Sequence, residues 1–537
     1  MKKILLILAG IVQSMVVLAY DLCVDGIYYN ILSETEKTLT VTNGDLEWGA
    51  TDYMGDVVIP ATVDYKGETW KVAAIERVTF QNHMMLNSLV ISEGIKTIPP
   101  YAFSMCTDLQ TVSLPNSIDS IGDHAFFRCQ SLVEMTLPEQ LKHVGTYLFE
   151  ECPIKHMKIP ESMTTIPEGM FFYCEELESV EIPNSVKSID AEAFHNCPKL
   201  HSIDFPDHLE HIGSSAFNES GLEAADIPNS VTFIDELAFG SNHNLTYVHL
   251  PETLTQISSG TFSDCPGLTS LIIPETVAYI GGYAITGTNI DTLRIPEAVT
   301  YIGEGAFGSN TKLRSINIPQ AVTEIEAHTF ALCSSLARLT LHEGITHIGE
   351  YAFQQCITLD SLIIPSTVKY IDNAAFCECM GLTELVFPPL IEAIPPHVCN
   401  NCTGLKRVVI PEQVTWVYDF AFYQCYALTD VYSLSKEAPL CGSGFLDVPL
   451  EQVTLHVYDK YVDAYKGQSP WNLFKNIVKI EDGELAIKTI DADDEPKSYY
   501  SLDGIHYPSP QKGINIIRFG NGQVRKIFLQ SSVQNSR

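Results

Sequence analysis

A phenylalanine returns every 23 residues through most of this sequence. It stands at Phe80, Phe103, Phe126, Phe149, Phe171, Phe194, Phe217, Phe239, Phe262, Phe307, Phe330, Phe353, Phe376 and Phe422, and Ile285 and Cys399 fill the same slot. The interval shortens to 22 only after Phe149, Phe217 and Ile285. A period of this length over so many copies confines the chain to a solenoid, because one such unit has no partner layer of its own.

The unit from Phe171 to Phe194 shows how a coil is built. Val180 and Ile182 alternate with Ser179 and Glu181, the period-2 pattern of a short strand with valine and isoleucine inward. Pro183 follows and ends the strand, having no amide to donate. The return half, Val186 through Ile189 to Ala193, is too short for a long helix and reads as an irregular or 3₁₀-like arc. One strand per coil is therefore predicted, in a parallel sheet with neighbours about 4.8 Å apart. Three residues past the phenylalanine comes a cysteine, as at Cys106, Cys129, Cys174 and Cys265; Ser220, Asn242, Thr288 and Asn310 replace it where it is missing. Small side chains that bond backbone suit a tight inner turn. Each shortened coil has lost its residue between this position and the strand.

The frame Cys-x-x-Leu-x-x-Val-x-Ile-Pro-x-x-Val-x-x-Ile-x-x-x-Ala-Phe, as in Cys174 to Phe194, resembles the BspA-like leucine-rich repeats of Bacteroidetes, Treponema and Trichomonas surface proteins. The resemblance implies a curved solenoid on an exported protein, with adhesins among its relatives. The fold class expected is thus an α/β-type repeat solenoid dominated by a parallel β-sheet, about 16 coils of 22–23 residues, with small β caps at both ends.

Around the repeats the chain divides as follows. Residues 1–19 read as a secretory signal: Lys2 and Lys3, an apolar run, then Val17-Leu18-Ala19 before the cleavage point. A lipoprotein anchor at Cys23 is disfavoured by Leu22 at its −1 position. Residues 20–79 carry strand-like runs at 28–32, 38–41 and 56–59 and read as an N-terminal β cap; 80–432 is the solenoid. Residues 433–482 read as a degenerate repeat and C-terminal cap, and 483–537 as an acidic linker followed by a small β module. No other stretch approaches the roughly 18 apolar residues of a membrane span.

A net charge of −34 argues against nucleic acid, which wants a basic stripe. Of 15 cysteines, eleven share one repeat position. Side chains stacked along a ladder are poorly aimed at one another, so buried free thiols are expected rather than disulfides. Cys377, Cys379, Cys399 and Cys402 imitate a zinc set, but they occupy different repeat positions and would face several directions; no metal or cofactor is expected. His342-Glu343 is followed by His347, one residue too far for a zinc helix, and no nucleophile elbow or phosphate loop is present. The chain is not expected to be an enzyme.

The function expected is recognition: a secreted or surface-exposed, adhesin-like protein, monomeric, binding a macromolecular partner, an extracellular protein or glycan, through the sheet face. The alternatives are glycan capture, for which Tyr247 and Tyr432 are the only aromatics at the outward strand offsets, and a hydrolase in the non-repeat ends. The contact surface is placed on the C-terminal half of the sheet. There the outward position turns apolar at Ile363, Val386, Val409 and Tyr432, beside the charges Arg338, Glu384, Arg407 and Asp430.

Overall fold

The computed structural model describes residues 20–44 and 53–480, and the strands Pro496–Tyr500, His506–Tyr507, Gly513–Phe519 and Val524–Leu529. The leader expected over 1–19 and the acidic stretch 481–495 lie outside the described residues. The chain forms two compact units, 1–365 and 366–537. The repeats make a parallel β-solenoid in which helix is nearly absent.

In the first unit most repeats are extended at two places, although the first place carries no strand at 202–204, 270–272, 338–340 or 361–363. The expected strand is there: Met157 lies opposite Val180, and Ala225 opposite Val248, in parallel register one coil apart. The return half, expected as an irregular arc, instead carries a second parallel ladder of two-residue strands. Ile166, Ile189, Ile212 and Ile234 stand in register along it, all buried. The single-strand expectation fails because isoleucine-in, predecessor-out is itself a minimal period-2 pattern. Coil stacking gives its backbone a partner that the isolated unit lacks.

A third set of inter-coil bonds runs beside the phenylalanines. The amides of Tyr101, Phe103 and Met105 donate to the carbonyls of Asp123, Ala125 and Phe127 at 2.9, 2.9 and 2.7 Å. Tyr101 and Met105 are left-handed, at φ 58° and 61°, and the same two offsets are left-handed in coil after coil. Such residues cost about 1–2 kcal/mol each when they are not glycine. The ring stack offsets this. Phe194 and Phe217 sit 5.1 Å apart with an interplanar angle of 7°, and both are fully buried. Burying one such ring is worth about 1.5–3 kcal/mol.

The cysteine position has a specific task. Sγ of Cys106, Cys129 and Cys197 donates to the carbonyl of Phe80, Phe103 and Phe171, one coil back, at 3.0, 3.2 and 3.2 Å. At the substituted positions Asn242 Nδ2 reaches Phe217 O at 2.7 Å and its Oδ1 accepts from Ser220; Asn310 does the same for Ile285 O and Thr288. No disulfide joins the described cysteines, and the eleven ladder cysteines are all buried. The first-ladder strands restart at the three shortened coils, with His156–Lys158, Ala224–Asp226 and Thr292–Leu293 each opening a new pair. At the first of them one parallel bridge, Glu134 to His156, still joins the coil before, offset by the missing residue.

At the N-terminus Leu22–Val24, Ile27–Ser33, Thr38–Thr42, Glu68–Ile75 and Thr62–Tyr65 form a five-stranded sheet. Gly55–Ile59, inside the segment read as cap, pairs parallel with Leu86–Ile91, so the first ladder begins there. Tyr53 lies 4.4 Å from Phe80 and ends the ring stack.

In the second unit five parallel strands follow one another: Glu384–Val386, Arg407–Ile410, Asp430–Ser433, Thr454–Tyr458 and Asn476–Ile480. The ring stack also runs one step past Phe422, to Phe445 at 5.0 Å, where Trp471 and Phe474 close over it. Trp471 Nε1 donates to Pro439 O at 2.8 Å. The five-residue helix Val462–Lys466 is the only α-helix among the described residues. The last strands, from Pro496–Tyr500 onward, form an antiparallel sheet of their own.

Candidate functional site

The residues singled out from sequence separate into exposed and covered sets. In the first unit Arg338 and Ile363 are exposed. In the second, Glu384, Arg407 and Asp430 stand in register, as do Val386, Val409 and Tyr432. Val386 is 48% exposed, but Val409 and Tyr432 are each 6% exposed, packed with Ile480 and flanked by Leu434 and Tyr458. The charges close in on the same place. The Arg407 guanidinium lies 4.5 Å over the Tyr432 ring and pairs with Glu384. His456 stacks on Tyr432 at 4.1 Å and bonds Asp430 through Nε2 at 2.8 Å. These residues do meet, but as an internal packing cluster, because Thr454–Tyr458 and Asn476–Ile480 extend the sheet and bring Ile480 over the stripe.

The second ladder carries an exposed aromatic row. Its outward residue is the one just before each repeat isoleucine. From the coil of Ser188 to that of His347 the position holds Ser188, His211, Phe233, Gln256, Tyr279, Tyr301, Glu324 and His347. Phe233, Tyr279 and Tyr301 are 39%, 41% and 40% exposed. Tyr279 and Tyr301 stack at 5.1 Å and 13°, and Phe233 stacks on His211 at 6.0 Å and 21°. Burial, with Glu326 nearby, holds the Tyr301 phenol above its usual range. The second unit repeats the motif with Trp416, stacked on Tyr418 at 5.5 Å. The signal was present in the sequence as the residue preceding Ile in Val-x-x-Ile.

Between Phe233 and Tyr279 lies a cavity of about 460 Å³, lined also by Ser214, Asp235, Glu236, Gln256, Ser258 and Ser259. Asp235 Oδ2 is 2.9 Å from His211 Nε2. The other candidates from sequence are occupied by packing. Cys402 Sγ donates to Phe376 O at 3.0 Å, and burial pushes the Cys377 thiol up to about 12. Among the described residues no three His, Cys, Asp or Glu side chains gather as a metal site requires. Nor is any helix among them long and apolar enough to cross a membrane.

Residues 73–201, 164–284, 234–360 and 308–429 each match the BspA type leucine-rich repeat region (six copies). The chain belongs to this family. Among solved structures, this BspA-type chain is similar to a leucine-rich repeat protein from Bacteroides ovatus at 25% identity and TM-score 0.50, over 77% of this chain and 94% of that one. A leucine-rich cell surface protein from Faecalibacterium prausnitzii matches at 21% identity and TM-score 0.38, over 77% and 94%. The Treponema pallidum leucine-rich repeat protein matches at 19% identity and TM-score 0.26, over 50% and 88%. No protein of curated function matches the chain.

Proposed function

We propose that this BspA-type protein is an exported, surface-displayed recognition module that binds a macromolecular partner without catalysing a reaction. The observation that carries the reading is the stacked Tyr279–Tyr301 pair, about two-fifths exposed on a rigid parallel ladder. A soluble solenoid has no packing need to hold rings in water in register, whereas interfaces favour such anchors. The family's repeats and the weakly similar cell surface protein of Faecalibacterium prausnitzii agree with display outside the cell. The contact surface is therefore moved from the Val409–Tyr432 stripe, which is covered, to the outward row of the second ladder. A protein and glycan array probed with the full chain tests this. Specific capture should be lost on Tyr279→Ser with Tyr301→Ser while thermal unfolding stays unchanged. Capture that survives the double substitution, or no capture at all, sinks the reading.

A further inference from the structure

The slot between Phe233 and Tyr279 is built for a cation, and we propose that it receives the guanidinium or ammonium group of an arginine or lysine side chain on a polypeptide partner. This deepens the recognition reading and rests on it.

Two aromatic walls define the slot. One face of Phe233 is taken by His211 and one face of Tyr279 by Tyr301, and both rings line the cavity of about 460 Å³ between them. Only Gln256, half-buried, stands at the outward position of the intervening coil. Two strand spacings are about 9.6 Å. A planar group contacting carbon on both faces needs about 7–8 Å. The backbone ladder is also open here, since Phe233–Ile234 ends one sheet and Gln256–Ile257 begins the next. Ser258 Oγ donates to Ile234 O in place of a strand bond.

Charge selects the occupant. Asp235 and Glu236 line the slot, and no lysine or arginine does. Residues 200–293, the four coils around it, contain twelve carboxylates and not one lysine or arginine. A cation gains from the ring faces and from this field together, and guanidinium, being planar and weakly hydrated, gains most. An anionic group is repelled. A neutral sugar would stack on the rings but draw nothing from the surrounding charge.

Fluorescence anisotropy with a labelled alternating arginine–glycine octapeptide and the full chain, at physiological salt, tests the assignment. The peptide should bind, and Phe233→Ala or Tyr279→Ala should weaken it about tenfold. Tyr247→Ala, which removes an exposed ring from the first ladder, should change nothing. Glu236→Gln leaves the walls intact and should weaken binding several-fold. Equal binding by all variants would mean only the diffuse field of an acidic chain, and the slot assignment falls. It falls equally if a neutral oligosaccharide binds and is lost in the wall variants, or if choline binds there while the peptide does not. An array partner whose capture depends on Tyr301 but survives Phe233→Ala overturns the slot and leaves the recognition reading standing.

Discussion

Sγ of Cys129 donates to the carbonyl oxygen of Phe103, 3.2 Å away in the preceding coil. That oxygen sits in a fully buried turn, out of reach of water, where its other donor is the Cys106 amide at 3.3 Å. Cysteine supplies a donor with the volume of a small apolar residue, which explains its return at one offset. Cys129→Ala keeps the packing but leaves the oxygen only the Cys106 amide, and urea unfolding should show a loss of about 0.5–1.5 kcal/mol. An unchanged midpoint would mean the thiol is only filler.

The same burial makes the fold sensitive to alkali. Cys106, Cys265 and Cys333 are each pushed up to about 12 by burial, against an ordinary value of 9.0. The folded chain holds these protons more tightly than the unfolded one. Their contribution is therefore complete below pH 9 and is lost as pH rises from there toward 12. The melting temperature should fall steeply over that window, and replacing the three by alanine should flatten the slope while lowering stability at pH 7. Under native conditions at pH 7, a thiol reagent should leave the ladder cysteines unreacted; denaturant alone, without reductant, should release them.

Asn242 tests the substituted form of the ladder. Its Nδ2 reaches Phe217 O and Phe239 O at 2.7 and 2.9 Å, while Oδ1 accepts from Ser220 at 2.9 Å. Asn242→Ala strips partners from a fully buried set and should cost about 2–3 kcal/mol in denaturant unfolding. Ser220→Ala in the Asn242→Ala background should then cost about 1 kcal/mol more, since Ser220 Oγ is the remaining side-chain donor to Phe217 O, at 2.8 Å.

How much of this was readable in the sequence follows from what each element depends on. The phenylalanine stack, the first ladder and the thiol position depend on the coil itself, and a 23-residue period declares them. Tyr53 escaped because it lies 27 residues before Phe80, outside the period, and joins the stack only through the cap. Phe445 kept the period but sat in a decayed frame, where Trp471 and Phe474 complete its surroundings. The second ladder is two residues long, below the length at which alternation can be recognised, and exists only because coils stack. Phe233, Tyr279 and Tyr301 share the offset before the repeat isoleucine, but only stacking turns that offset into an outward row. The Val409–Tyr432 stripe was read correctly as outward, but what covers it comes from Ile480, some fifty residues further on, and no local pattern announces that packing.

Val386 and Val409 share one outward column and one register, and they should answer the same substitution in opposite ways. Val386 is 48% exposed, so Val386→Glu should move stability by no more than about 0.5 kcal/mol. Val409 is packed with Tyr432 and Ile480, and the surrounding charges are already engaged with each other. Val409→Glu therefore places an uncompensated carboxylate against an aromatic ring and should cost about 3 kcal/mol or more. The rise in that carboxyl's pKa should make the loss smaller at pH 4 than at pH 7, which a simple steric clash would not do. Thermal melts of both variants at the two pH values decide it. If Val409→Glu proves as mild as Val386→Glu, Ile480 does not cover the column and the stripe returns as a contact surface.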